Sequence, residues 1–220
     1  DINQDSDKKR DPLKVMRLLQ SMARNTATEA SIASVSQDTA GSEQPVSVPT
    51  INEYLGVLER LMVLEPLPAW STHITSRDML RKAAKHHFVD PSLAVGALGL
   101  SMDKLRNDLL YVGFLFESLV LRDLRIYAEV QGGRAYHYRD SSNLETDIIL
   151  EYPDTSWAAF EVKLSMAQQD EAASSLLRFA EKIDTRATNS PSSLNIITSN
   201  GFAFRRADGV NVIPLTALGA

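Results

Sequence analysis

The sequence predicts an α+β protein: a winged-helix-like helical domain, then a domain in which helices flank a mixed central sheet. Through the first hundred residues apolar side chains recur at helical spacing, interrupted by two short strand-like runs. Beyond them a long helical stretch gives way to three β-branched or aromatic runs, a second helical stretch and two more runs. Thr146–Glu151 and Trp157–Lys163 also flank a Tyr152-Pro153-Asp154 break, which reads as two neighbouring strands joined by a hairpin-like loop. The boundary between the domains is placed near residues 100–105, giving 1–102 and 103–220.

Asp11 and Pro12 suit the cap and first turn of a helix, and Leu13, Met16, Leu19 and Ala23 follow at its spacing, so residues 11–26 are expected to be helical. A second helix is expected over 29–39 with Ile32 and Val35 inward, then a Ser-, Gln-, Gly- and Pro-rich loop over 40–49. A third helix spans 50–61 and carries Ile51, Leu55, Leu58 and Leu61 on one face. Residues 62–65 form a strand stopped by Pro66 and Pro68, and 86–89 offer its partner, completing the order of a winged helix. Asp90-Pro91-Ser92 opens another helix. In the second domain a helix over 109–129, ended by Gln131-Gly132-Gly133, is expected to bury Phe114, Leu115, Leu119, Leu121, Leu124 and Ile126. Strands at 135–139, 146–151 and 157–163, a helix at 166–183 and strands at 194–198 and 209–214 follow.

Composition narrows the function. The chain has 220 residues, 44 % of them hydrophobic and 23 % charged, as in soluble globular proteins. Having no cysteine, it can contain neither disulfides nor cysteine-ligated zinc. No apolar run approaches a membrane span. The net charge of −5 argues against a constitutive, non-specific DNA binder. The expected third helix exposes Asn52, Glu53, Glu59 and Arg60, which is no basic reading surface, so a protein-contact or spacer role is favoured for the first domain. The one basic cluster is Arg77, Arg81, Lys82 and Lys85; it is the candidate for contact with a phosphate backbone, although such a run is more often a solvated arm. His86 and His87 are adjacent on a strand and point to opposite faces, so they do not chelate one ion together. The polar first ten residues have no signal-peptide core and read as a linker inside a longer, cytoplasmic protein.

The chemistry-bearing residues lie on the two neighbouring strands. Asp147 stands near the start of one, and Glu161-Val162-Lys163 ends the other, with Glu161 and Lys163 on one face and Val162 turned into packing. An acidic residue followed on the next strand by Glu-x-Lys resembles the PD-(D/E)xK nuclease superfamily, whose αβββαβ core has the element order read above. The resemblance implies that Asp147, Glu161 and the Val162 carbonyl hold Mg²⁺ or Mn²⁺, that Lys163 assists the attacking water, and that Glu117, on the preceding helix, completes the site. Thr146 stands where the superfamily's name has proline. An ordinary same-face ion pair between Glu161 and Lys163 is the plainer account of the same residues.

More of the chain is similar to the C-terminal region of a family of prokaryotic AAA-type ATPases that join an ATPase module to a winged helix and a nuclease-like domain of unknown function. The similarity is carried by 18–26, 50–67, 81–94, 115–120, 136–139 and 147–163. It implies an ATPase module upstream. No Gly-x-x-x-x-Gly-Lys-Ser/Thr occurs here, so no ATP site of that kind is expected in this chain. The function expected is metal-dependent phosphodiester hydrolysis of nucleic acid; the alternative is a catalytically inactive interaction or regulatory module of the ATPase. An oligomer is compatible with either.

Overall fold

The computed structural model describes residues 11–40, 44–71, 83–185 and 188–219. Arg77, Arg81 and Lys82 lie outside the described residues.

The N-terminal helices start where polar side chains satisfy their first amides. Asp11 accepts the Leu13 N–H at 3.0 Å ahead of α1 (Pro12–Arg24). Ser31 accepts from Ser34 ahead of α2 (Ile32–Asp38), and Ser47 from Thr50 ahead of α3 (Val48–Arg60). The third helix thus begins two residues before its expected start, because Ser47 caps it and Pro49 suits its first turn. β1 (Leu64–Leu67) and β2 (Lys85–Phe88) form a two-stranded sheet, with Pro66 inside a strand rather than stopping it. Asp90 caps α4 (Pro91–Leu98), and Gly99, at φ 60°, ends it in the left-handed region. Three helices followed by a two-stranded sheet is the order read from the sequence. A short α5 (Met102–Arg106), capped by Ser101, was not expected.

The described chain divides into two compact units. One holds 11–66 and 83–118, the other 67–71 and 119–219. The first unit therefore runs past the boundary expected near 102, and the helix α6 (Leu109–Glu129) passes from one unit to the other. Leu18, Met22, Val35, Ile51, Leu55, Leu58, Leu64 and Phe88 make the core of the first unit. Along α6, Leu115, Phe116, Val120, Leu121, Leu124 and Ala128 are buried, whereas Ile126 is exposed.

The second unit is built on a six-stranded mixed sheet in the order β3-β4-β5-β6-β8-β7. Its strands are β3 (Arg134–Arg139), β4 (Glu145–Glu151), β5 (Trp157–Lys163), β6 (Ser193–Thr198), β7 (Phe204–Arg205) and β8 (Asn211–Pro214). β3, β4 and β5 pair antiparallel, β5, β6 and β8 parallel, and β7 returns antiparallel to β8. The parallel step from β5 to β6 needs a crossover, supplied by α7 (Gln169–Lys182). Leu176 and Phe179 of α7 pack with Trp157, Ile149, Ala159, Ile196 and Val212. Trp70 joins this cluster, its ring 4.9 Å from that of Trp157. Trp70 is held there by the backbone: its N–H bonds the His137 carbonyl at 2.7 Å, and the His137 N–H bonds the Pro68 carbonyl at 2.9 Å.

The C-terminal turn of α7 is tied to the β3–β4 connection by Asp140. Burial raises the pKa of its carboxyl, but the hydrogen bonds from Lys182, from the Ser142 hydroxyl and from the Ser142 and Leu144 amides outweigh this and hold it well below the usual carboxylate range. A folded-state pKa below the unfolded one contributes stability that is present above about pH 4 and lost as pH falls further. Asp140→Asn is expected to lower the unfolding free energy by about 2 kcal/mol at pH 7. Paired urea titrations should show that difference shrinking below pH ~4.

Candidate functional site

β4 carries one residue more than β3 at the point that matters. Tyr136 pairs with Ile149 and Tyr138 with Thr146, so Asp147 and Ile148 together stand opposite His137. Such a bulge bends its strand and re-aims the side chains on it. On the other flank, β4 pairs with β5 from Glu151–Trp157 as far as Ile148–Phe160. One step further the ladder bond is replaced: the Val162 N–H donates to Oδ2 of Asp147 at 2.8 Å. β5 meanwhile stays paired with β6 through Lys163–Thr198. The sheet is thus intact on one side of Val162 and capped by a carboxylate on the other.

This arrangement brings Asp147, Glu161 and Lys163 together. Glu161 and Lys163 share a face, as the alternation predicts, and Val162 is buried. Lys163 Nζ lies 2.9 Å from Oε2 of Glu161 and 3.9 Å from Oδ2 of Asp147. The Glu161 side chain is 7 % exposed, that of Asp147 13 % and that of Lys163 25 %, so the cation is the member of the cluster most open to water. The amide and carbonyl of one strand residue leave from the same edge, so the Val162 carbonyl opens on the side of Asp147, where its amide points.

Among the described residues no three His, Cys, Asp or Glu side chains are grouped to hold a metal ion. What the strands supply is two carboxylates and a backbone carbonyl. Oxygen-only donors with one or two carboxylates fit Mg²⁺ or Mn²⁺, the former of which keeps several of its waters.

Glu117 lies in the first unit. It is buried, and the Lys85 ammonium meets its Oε1 at 3.2 Å. This corrects the expectation for Lys85: its side chain is only 3 % exposed and directed at a carboxylate, so it is not a surface cation for a phosphate backbone. Its neighbour two residues on, His87, is also buried and shares a 2.9 Å hydrogen bond with Ser118. The alternation Lys85, His87 on a strand was the available signal. So was the position of Glu117, three residues after Phe114 and four before Leu121, on the apolar stripe of its helix. An open cleft of about 420 Å³, lined by Ser142, Asn143, Leu144, Arg178, Glu181 and Lys182, lies at the far end of α7 from the carboxylate cluster.

Fold and site together define an α+β domain with an acidic pair and a lysine where two strands of a mixed sheet part. Residues 112–218 match a domain of unknown function, DUF4143, and residues 1–104 match another, DUF8612. No curated protein matches the chain, and no solved structure does.

Two substitutions test the buried polar groups. Lys85→Met removes the ammonium from beside the buried Glu117 carboxylate and should cost about 3–5 kcal/mol in urea unfolding, while adding Glu117→Leu should recover much of that loss. Thr146 is fully buried, and its hydroxyl has no hydrogen-bond partner among the described residues. Thr146→Val should therefore raise the unfolding free energy by about 1 kcal/mol, since it removes an unsatisfied polar atom.

Proposed function

We propose that the second unit is a metal-dependent phosphodiesterase domain acting on nucleic acid. The observation that carries the reading is the Asp147–Val162 hydrogen bond at the end of the β4–β5 ladder, which assembles Asp147, Glu161 and Lys163 at one place. Asp147, Glu161 and the Val162 carbonyl would hold Mg²⁺ or Mn²⁺, which when bound supplies a Lewis acid for the phosphate and lowers the pKa of a bound water. Lys163, the most exposed member of the cluster, orients the attacking water and neutralises charge that builds on the phosphate oxygens. Glu161, held by Lys163, fixes that ammonium. Glu117 lies in the first unit with Lys85 at its carboxylate, and no step of this mechanism uses it.

The matched domains also support a reading of the wider setting. The domain of unknown function matched by 112–218 is commonly associated with C-terminal regions of AAA ATPases. With the sequence similarity above, this supports a role as the C-terminal part of such an ATPase, with nucleic acid as its partner, in the cytoplasm. No helix among the described residues is long and apolar enough to cross a membrane.

One observation favours a second reading, an inactive interaction or regulatory module: the Lys163 ammonium already lies against both carboxylates and compensates them without any ion. Calorimetric titration with Mg²⁺ and Mn²⁺ separates the two. Heat of binding in the wild type, abolished in Asp147→Asn and Glu161→Gln together with cleavage of DNA or RNA, is the expected result. Absence of binding at millimolar metal would leave the interaction module as the function.

A further inference from the structure

The carboxyl end of β6 lies beside that of β5, with Thr198 in register with Lys163. The connection that leaves it is pinned to the residues following Lys163. The Ser199 hydroxyl donates to the Leu164 carbonyl at 2.6 Å, and the Thr198 hydroxyl to the Asn200 carbonyl at 2.9 Å. Gly201 then passes over Met166 with φ at 114°, a conformation open to glycine. A Cβ at that position would stand 2.2 Å from the Met166 sulfur. The connection is thus fixed to the end of β5 by hydrogen bonds and by close backbone approach.

This fixed connection displays aromatic surface to water. Phe202 is 84 % exposed and Phe204, which opens β7, 41 %. Arg205 follows, exposed and without an ion pair among the described residues, whereas Arg206 is bound to Asp170 and Asp208. Phe204 also shares a cross-strand row with the site, pairing with Val212, which pairs with Ile196, which pairs with Glu161. Three strand spacings put Phe204 about 14 Å from Glu161 along that row, a few nucleotides of chain. Exposed rings cost free energy in water, so a surface that covers them gains by doing so. Aromatic faces stack on any base, and only unpaired bases offer their faces. A cation beside the rings suits the phosphates of the same strand.

We propose that the β6–β7 connection is a base-stacking platform, with Phe202 and Phe204 as its rings and Arg205 as its phosphate contact, that seats single-stranded nucleic acid beside Asp147, Glu161 and Lys163. The inference rests on the phosphodiesterase reading for what lies beside the platform, and its test does not require cleavage. Fluorescence anisotropy of a labelled oligothymidine with the full chain in EDTA reads binding alone. Phe202→Ala and Phe204→Ala should each weaken it about tenfold. Phe202→Trp should keep it, and Phe202→Leu should behave as the alanine variant, since stacking rather than apolar contact is at work. Duplex of the same length should bind more weakly. Alanine variants that bind like the wild type, no binding of the single strand, or a preference for duplex would each overturn the platform. Ring-dependent binding without cleavage when Mn²⁺ is restored would uphold the platform and sink the hydrolase.

Discussion

A single carboxylate decides how the sheet of the second unit ends. Antiparallel strands pair until something else takes their amides, and at Val162 that something is Oδ2 of Asp147. A hydrogen bond from a backbone N–H to an ionised oxygen contributes about 1.5–3 kcal/mol, more than the neutral ladder bond it replaces. The strands therefore part at a fixed residue, and the bulge opposite His137 sets the angle at which Asp147 arrives. The group that terminates the pairing is also the group the proposed chemistry needs, so the architecture and the site share one contact.

The charge balance looks different once partners are assigned. Several of the basic side chains that the composition counts are committed internally: Arg24 to Asp38, Lys85 to Glu117, Lys182 to Asp140, Arg206 to Asp170 and Asp208. An acidic chain that spends its cations this way has little long-range attraction for a polyanion. On the proposed reading, recognition would rest on short-range contacts, and the exposed rings of the β6–β7 connection are of that kind.

Much of this was readable from the residues. The long helix appears at 109–129, as its periodicity and the glycines after it require, and the three strands that follow it appear in order with the parts of the Asp147, Glu161 and Lys163 cluster on them. What stayed hidden has physical causes. β7 is two residues long and leaves no periodic trace. A bulge breaks the period of two that strand reading relies on, so the re-aiming of Asp147 could not be seen. Lys85 sits among nearby charges in the sequence, although alternation along its strand turns it inward. Ile126 is apolar like the buried face of its helix, but it sits two positions from Leu124, about 200° around the axis, and lies in solvent.

The short stretch that carries Trp70 belongs to the second unit though it is separated from the rest of that unit in sequence by residues 83–118 of the first. Ala69 forms a bridge to His137 at the outer edge of β3, and the Trp70 indole packs at a tilt against that of Trp157. During synthesis this stretch emerges long before the strand it will cover. The sheet cannot close its edge from later residues alone, so its completion awaits a partner made early and kept within reach. Folding order, and not only the final fold, therefore depends on the first half of the chain: a protein cut near residue 103 would be left with an unpaired strand edge, the kind that joins one sheet to another.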